Sequence, residues 1–258
     1  MRYLAFIQYL GTAFSGYQVQ PNRRTVQGDL CRACEALFAC PCRVSGCSRT
    51  DSGVHAEEFC VLIEPADEGH AAIPPKKLPL AIAEHLPPDI SSIRCTEAPP
   101  DFHPRYAAQG KIYRYDIWNA PARNPFLTDR AWHYPRYLDE RALSRMRQAA
   151  KLIEGRHDFA AFMADGSAIV DTVRTVFSCT CEREGQLVHI RVHGDGFLYN
   201  MVRIIVGTLI AVATDKLAPQ DVQTILEAKR RVLAGMTAPA CGLTLEHVIY
   251  PDGLIVWE

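Results

Sequence analysis

The sequence lacks an excess of charge of either sign. Its 258 residues include 28 Lys or Arg and 29 Asp or Glu. The overall charge therefore indicates no polyanionic partner, and a nucleic-acid role would need basic residues gathered in one region. One such region runs from residue 102 to residue 156, with eleven Lys or Arg against five Asp or Glu. Such a run is usually a solvated face, but four of these residues lie in one predicted helix, which is a weak electrostatic hint of a basic surface: Arg141, Arg145, Arg147 and Lys151.

Long apolar runs are also missing. No stretch approaches the roughly 20 consecutive apolar residues that span a membrane. The first residues, "MRYLAFIQYLGTAFSGY", show no basic segment followed by a long apolar one, so we expect no secretory signal. We therefore predict a cytoplasmic protein without membrane association, in which cysteines stay reduced.

Cysteine is abundant, with ten in the chain and five of them between residues 31 and 47. Cys31-x-x-Cys34 with Cys40, Cys42 and Cys47 has the composition of a zinc cluster, which leaves a zinc-stabilised regulatory protein as an alternative. The second group lacks finger-type spacing, however, and Cys34 fits the apolar stripe of a predicted helix. We favour small buried hydrophobes and expect no metal.

The hydrophobic pattern predicts an α+β fold. Each half reads strand, helix, strand, strand, helix, strand, the split βαβ arrangement of ferredoxin-like and RRM-like domains. We expect the two halves to form a joined, mostly antiparallel sheet with helices on one face and a central active-site cleft. The predicted domains are residues 1–105 and 106–258. The predicted helices cover residues 25–38, 75–85, 139–154, 197–213 and 219–230.

One stretch raises a question of chemistry: "CSRTDSGVHAEEFCVLIE", residues 47–64. Asp-Ser-Gly is an ordinary turn signal, because Asp bonds its own backbone and Gly accepts a positive φ. The stretch is thus either a simple turn before a strand or a loop that presents Asp51 as a reactive carboxylate.

Eight segments in order decide between these interpretations. They are "TVQGDL", "SRTDSGVHA", "FHPR", "KIYRY", "GRHDFAAF", "TVRTV", "MVRIIVG" and "GLTLEHVIYP". Together they closely resemble the tRNA pseudouridine synthase A family, nearly from end to end. The resemblance implies an isomerase, an intramolecular transferase that converts uridine to pseudouridine at positions 38, 39 and 40 of the tRNA anticodon stem-loop. It also implies a homodimer and no cofactor.

The resemblance also assigns site residues. Asp51 matches the catalytic aspartate of the family loop, and Tyr113 matches the tyrosine that packs on the target uracil. Arg49 matches the arginine that helps to open the stem and hold the flipped-out nucleotide, and Arg203 matches the partner of the catalytic carboxylate. The first domain would then carry the aspartate loop, and the second would carry the tyrosine and the arginine.

Further residues are candidate RNA contacts or supports. Ser52 and His55 lie beside Asp51, and we favour a bracing role for both. Phe102, His103 and Arg105 are expected to support or contact RNA. Arg174 and Arg231 match recurrent family positions with phosphate roles, while Leu243 and Leu245 are expected to pack near the active site, where apolar walls exclude water.

The reaction suits these residue types. The bond from N1 to C1′ must break and C5 must join C1′, so a carboxylate that attacks C1′, or that stabilises positive charge there, is sufficient. A guanidinium beside Asp51 would lower its pKa. The uracil must leave its stack, and an aromatic platform recovers part of that cost. Tyr113 alternates with Tyr115 along a predicted strand, and we expect the two rings on opposite faces.

Three residues depart from the family pattern: Leu10, Tyr17 and Ser48 replace the usual Asp, Trp and Gly. The first two affect the long N-terminal loop, and Ser48 would be strained if its position required a positive φ. A non-catalytic RNA-binding or chaperone module on the same fold is the main alternative. Retention of Asp51, Tyr113 and Arg203 argues against it.

Overall fold

The structure is a computed structural model that describes residues 1–66, 73–166 and 169–257. The chain divides into two units. The first unit comprises Met1–Gln109 together with Leu245–Glu258, and the second comprises Gly110–Thr244.

The first unit is built around antiparallel strands. Its elements are β1 (Tyr3–Tyr9), α1 (Val26–Phe38), β2 (Cys42–Gly46), β3 (His55–Pro65), α2 (Leu78–Ala83) and β4 (Ile90–Glu97). β10 (Leu243–Ile249) contributes its residues from Leu245 onward. The strand order is β4-β1-β3-β10, with β2 on β3. β1 is paired on both sides and all but one of its side chains are buried, which accounts for its continuous apolar run.

Helix α1 covers one face of these strands. Thr25 caps it by accepting a hydrogen bond from the Gly28 amide, and Ala39, at φ 54, ends it in the left-handed conformation. Its buried side chains recur every three or four positions, which gives the helix one apolar face. The Phe38 ring lies 5.3 Å from the ring of Tyr3, so this face packs directly on β1.

The second unit is also built around antiparallel strands, and it contains more helix. Its elements are β5 (Gly110–Trp118), β6 (Trp132–His133), α3 (Glu140–Ile153), β7 (Gly155–Asp158), β8 (Val173–Glu184), β9 (Leu187–Gly194), α4 (Met201–Ala213) and α5 (Asp221–Ala228). The strand order is β5-β9-β8-β7, all antiparallel, and the short β6 pairs in parallel with β5. α3 packs against α4 and β8. α4 is enclosed on nearly all sides, as its almost entirely apolar sequence requires.

The predicted α+β class with mostly antiparallel strands is confirmed, and the order of elements within the first half is as predicted. The prediction missed β6 and β7, which are only two and four residues long. It also started α4 at residue 197, whereas the helix begins at Met201 because Asn200 adopts φ 60. Within the described ranges, no helix has the length and apolar composition needed to cross a membrane.

The two units differ from the predicted domains at the C-terminus. The prediction placed residues 245–258 in the second domain, but their contacts place them in the first unit. The Gln109 amide donates to the Ile249 carbonyl at 2.8 Å, and the Thr96 hydroxyl donates to the Val256 carbonyl at 2.8 Å. The predicted joined sheet with a cleft between the halves concerns the relation of the two units and stays a prediction.

Candidate active site

Asp51 lies in the loop that joins β2 to β3. The Val54 amide donates to the Asp51 carbonyl at 3.2 Å and closes a four-residue turn. Gly53 occupies the third position of this turn with φ +80, a conformation that glycine adopts without strain. The turn predicted from Asp-Ser-Gly is therefore confirmed, and it fixes the backbone at Asp51.

A segment from Gly11 to Tyr17 holds this loop in place. The Phe14 carbonyl accepts hydrogen bonds from the Ser52 hydroxyl (3.2 Å) and the Gly53 amide (3.3 Å). On the other side of Asp51, the Tyr17 amide donates to the Thr50 carbonyl at 3.1 Å. The residues before and after Asp51 are thus bonded to one and the same segment.

Two buried hydrogen bonds add to these supports. The hydroxyl groups of Tyr9 and Thr50 lie 2.8 Å apart. His55 is 4% exposed, and its Nδ1 accepts a hydrogen bond from the Gly11 amide at 2.9 Å. An imidazole that accepts at Nδ1 is neutral and carries its proton on Nε2. His55 and Ser52 both make contacts of the bracing kind.

Two glycines permit the close approach of the segment to the loop. A Cβ on Gly16 would lie 2.7 Å from the Thr50 carbonyl oxygen, and Gly16 has φ +86. A Cβ on Gly11 would lie 1.9 Å from the Val54 carbonyl oxygen. Any larger residue at either position would move the backbone on one side of Asp51 or the other.

Arg24 fixes the segment itself. Its guanidinium binds the Asp89 carboxylate through two nitrogens at 2.9 Å and reaches Asp29 at 3.0 Å. It also lies over the Phe14 ring, 4.2 Å from the centroid. The hydrogen bonds to Asp89 raise the pKa of Arg24. The sequence alone does not indicate this arrangement, because Asp89 lies 65 positions from Arg24.

The three departures from the family pattern have different consequences. Ser48 is not among the described residues with positive φ, so serine is unstrained there. Leu10 is half exposed at the start of the segment, and its amide donates to the Asp89 carbonyl at 3.0 Å. The Tyr17 ring stacks on Phe59 at 4.5 Å, but its buried hydroxyl has no hydrogen-bond partner among the described residues.

Arg49 differs from its neighbours in the loop. It is exposed, and within the described part of the chain its side chain makes no hydrogen bond or ion pair. An exposed guanidinium next to Asp51 suits contact with a phosphate or a ribose.

Tyr113 lies on β5 in the second unit, opposite Val192 of β9. It is 6% exposed, and its ring meets Phe197 edge to face at 5.1 Å. Tyr115 is also buried, and its hydroxyl donates to the Pro239 carbonyl at 2.7 Å. The expectation that the two rings lie on opposite faces is wrong, because residues two apart on a strand share a face.

Arg203 lies in the first turn of α4. Its Nε donates to the Ala238 carbonyl at 2.7 Å, and its Nη1 donates to the Asn200 side-chain oxygen at 2.6 Å. These two bonds orient the guanidinium within the second unit. The predicted pairing of Arg203 with Asp51 joins residues of different units and stays a prediction.

The segment that contains Phe102, His103 and Arg105 is a second loop of the first unit. Phe102 is buried against Tyr250, with ring centroids 5.5 Å apart, so it supports the loop. His103 accepts a hydrogen bond from the Arg105 amide at 3.2 Å, and Arg105 is exposed.

The remaining candidates are partly engaged in local structure. Arg231 donates to the Gly235 carbonyl at 2.8 Å and to the Thr237 hydroxyl at 3.2 Å, which orders the loop it begins. Arg174 donates to the Asp171 carbonyl at 3.0 Å. Leu243, in the second unit, and Leu245, in the first, are both buried. Their expected positions beside RNA or the active site stay predictions.

Two of the four basic side chains on α3, those of Arg145 and Arg147, are bonded to backbone carbonyls of other elements. Arg145 donates to the carbonyls of Val212 and Leu217 at 3.1 and 2.9 Å. Arg147 donates to the Cys181 carbonyl at 3.0 Å. Both side chains therefore link α3 to neighbouring elements of its own unit.

The cysteines behave as packing residues. All ten are free thiols, and most are buried. Burial raises the pKa of the Cys42 thiol to about 12 and that of Cys34 well above its usual range. Zinc binds the thiolate, which these environments disfavour. Among the described residues, no group of three or more His, Cys, Asp or Glu side chains is placed to hold a metal ion.

Comparison with known proteins shows the family to which the chain belongs. A sequence model described as tRNA pseudouridine synthase matches residues 149–251. The tRNA pseudouridine synthase A of Geobacillus kaustophilus is 40% identical over 257 residues, covering 99% of this chain and 96% of that protein. The chain belongs to the tRNA pseudouridine synthase A family. The resemblance on the eight segments is confirmed, and so is the prediction of an isomerase of this family.

Other relatives extend the match over the whole chain. The tRNA pseudouridine synthase A of Shouchella clausii is 44% identical over 257 residues, which cover 98% of this chain and 94% of that protein. The protein of the same name from Bacillus licheniformis is 42% identical over 255 residues, covering 98% of this chain and all of that protein. These matches include the loop of Asp51, which lies outside residues 149–251.

Proposed function

We propose that this chain converts uridine to pseudouridine at positions 38, 39 and 40 of the tRNA anticodon stem-loop, with Asp51 as the nucleophile. One observation carries the proposal. In a chain of this family, Asp51 stands in a turn whose neighbouring residues are bonded on both sides to the segment from Gly11 to Tyr17. Such fixed backbone is what a group needs to meet a reacting atom in a defined orientation.

The reaction balances without any added reactant. The Asp51 carboxylate attacks C1′, the bond from C1′ to N1 breaks, and the uracil leaves with the electron pair. The base turns, C5 attacks C1′, and the carboxylate is released. The proton on C5 is then lost and N1 gains one, so substrate and product have the same atoms. No electron acceptor, hydride donor or metal is needed, and we propose that the chain uses no cofactor.

The other site residues have supporting roles in this proposal. Tyr113 packs on the target uracil after the nucleotide leaves its stack. Arg203 pairs with the Asp51 carboxylate and favours its ionised form, which the reaction requires at neutral pH. Arg49 holds the flipped-out nucleotide, and its exposed position supports this role.

We also propose a cytoplasmic homodimer that binds one tRNA with both subunits. The chain has a formal net charge of −1, so a single copy has little overall attraction for RNA. Two copies that bring their basic side chains to one surface would bind tRNA in a salt-sensitive way. Sedimentation should show a dimer, and a strictly monomeric species with full activity would contradict the dimer.

Purified protein and tRNA transcripts test the proposed reaction. One transcript carries uridines at positions 38, 39 and 40, and three matched transcripts each have one of these uridines replaced by cytidine. After exhaustive EDTA treatment and without added small molecules, we expect pseudouridine at these positions and none where cytidine stands. Pseudouridine only elsewhere in the transcripts would refute the proposed site, and loss of activity with EDTA would refute the absence of a metal.

A further inference from the structure

The segment from Asp101 to Ala107 buries some of its side chains and exposes others. Phe102 and Pro104 are buried, whereas Arg105 and Tyr106 are exposed. The family resemblance predicts RNA contacts or supports at Phe102, His103 and Arg105, and it assigns no role to Tyr106. Tyr106 is 79% exposed, and the ordered residues around it, rather than the exposure alone, indicate a role.

The inward side chains hold the backbone of this segment. The Tyr250 hydroxyl donates to the Pro104 carbonyl at 2.7 Å, and its ring packs on Phe102. The Arg2 guanidinium donates to the Phe102 carbonyl at 3.1 Å. The Ala107 amide donates to the His103 carbonyl at 3.0 Å and closes the turn around Tyr106.

The outward side chains are ordered as well. The His103 ring lies 4.4 Å from the Tyr106 ring at an interplanar angle of 33°, so it covers one face of the tyrosine. His103 is itself held by the hydrogen bond from the Arg105 amide at 3.2 Å. The Tyr106 ring is therefore fixed from one side and open on the other. In the described ranges, the Arg105 side chain makes no ion pair.

An aromatic ring with one open face beside an exposed guanidinium matches the chemistry of RNA recognition. Unpaired bases stack on aromatic rings, and Arg binds the adjacent phosphate. A ring that is already oriented loses little freedom on binding.

We propose that Tyr106, backed by His103, is a stacking platform for an unpaired nucleobase of tRNA, and that Arg105 binds a phosphate next to that base. This inference rests on the proposed function, since it takes tRNA as the ligand. It adds a contact outside the loop of Asp51 that contributes to affinity rather than to the chemical step.

Binding measurements on four variants test the platform. The dissociation constant for a tRNA transcript is measured over a series of salt concentrations. Tyr106→Ala should weaken binding by about tenfold with an unchanged salt dependence, because a stacked base is lost but no phosphate contact. Tyr106→Phe should bind within about twofold of wild type, because the ring remains. Arg105→Ala should reduce the slope of log affinity against log salt by about 0.7–0.9.

Phe126→Ala is the matched control, since Phe126 is 88% exposed in the second unit and lies outside the proposed platform. We expect wild-type binding from it and unchanged thermal stability in Tyr106→Ala. Wild-type affinity in Tyr106→Ala would overturn the platform, as would equal losses in Tyr106→Ala and Phe126→Ala.

Pseudouridine formation by wild-type protein is measured on the same transcript, so that the two proposals can fail separately. If pseudouridine forms and Tyr106→Ala binds normally, the platform is wrong and the proposed function stands. If no pseudouridine forms and Tyr106→Ala still binds about tenfold more weakly, the proposed function is wrong and the platform stands.

Discussion

Asp51 and Asp158 lie in two of the motifs shared with the family, yet the structure around them differs. The Asp158 carboxylate takes part directly in local structure. It lies 2.8 Å from the Lys229 ammonium group and accepts hydrogen bonds from the Ala160 amide (3.1 Å) and the Thr172 hydroxyl (2.5 Å). The hydrogen bond from Lys229 lowers the pKa of Asp158. This carboxylate holds the end of β7 in place.

The loop of Asp51 has supports that are separate from the Asp51 side chain. Thr50, Ser52, Gly53 and His55 make the hydrogen bonds that fix it. Under the proposed function, Asp158 serves the fold and Asp51 serves the reaction. The hydrogen bonds of the residues next to each aspartate help to distinguish these roles. Substitutions of Asp51 and Asp158 test the distinction.

The largest expected effect is on turnover in Asp51→Asn. Loss of the proposed nucleophile should reduce pseudouridine formation by at least about 10⁴-fold. Asn keeps the size and the turn-forming geometry of Asp, and the residues on both sides keep their hydrogen bonds, so the free energy of unfolding should change by less than about 1 kcal/mol. Asp158→Asn is the matched control and should keep turnover within about twofold. Similar turnover in the two variants would remove the distinction between the aspartates.

A smaller effect should follow from Gly16→Ala. Alanine at φ +86 costs about 1–2 kcal/mol, and its Cβ would collide with the Thr50 carbonyl, so we expect a loss of about 2–4 kcal/mol in unfolding free energy. Turnover should fall as well, because the collision displaces the residue before Asp51.

Gly253→Ala is the matched control. Gly253 also has a positive φ (+76), but no described atom lies within 4 Å of the Cβ that alanine would add. This substitution should cost only about 1–2 kcal/mol and leave turnover unchanged. Denaturant unfolding and a turnover assay measure both, and equal effects in the two variants would show that Gly16 does not support the loop.

Tyr17→Phe should make the protein more stable. The Tyr17 hydroxyl is buried without a hydrogen-bond partner in the described part of the chain, and burial raises the pKa of this residue well above its usual range. Removing an unsatisfied polar group while keeping the ring stacked on Phe59 should stabilise the fold by about 1 kcal/mol. Thermal or denaturant unfolding measures the change. A destabilised variant would mean that the hydroxyl has a partner that supports the loop.

The smallest expected effect is the pH dependence at Asp158. The folded-state pKa of Asp158 lies below its ordinary value of 3.8. Its stabilising contribution is therefore present above pH 4 and is lost as the pH falls through the folded-state value. Because the pair with Lys229 is partly exposed, wild type should exceed Asp158→Asn by only about 0.2–1 kcal/mol at pH 7, with the difference shrinking below pH 4. Unfolding at pH 7 and pH 3 measures this, and a constant difference would contradict the ion pair.

Much of the first unit could be predicted from sequence because its signals are local. The continuous apolar run of β3, the apolar stripe of α1 and the Asp-Ser-Gly turn each depend on residues close together in the chain. The candidate site was predicted from the motifs shared with the family and not from the hydrophobic pattern. A turn around Asp51 would look the same in a protein without catalytic activity.

The features that sequence reasoning missed depend on contacts between distant residues. The Phe14 carbonyl meets Ser52 across 38 positions, and Arg145 meets Leu217 across 72. No local pattern indicates which carbonyl an arginine or a serine will reach. The strands β6 and β7 are too short to show alternation. The exposure of Tyr106 could not be predicted either, because other tyrosines of the chain are buried.

The most direct test of the account is a map of pseudouridine in tRNA from cells that lack this chain. The account predicts that pseudouridine is missing at positions 38, 39 and 40 and present at other sites. Wild-type protein and Asp158→Asn should restore it, whereas Asp51→Asn, expressed at the same level, should not. Restoration by Asp51→Asn would contradict the assignment of Asp51 as the nucleophile.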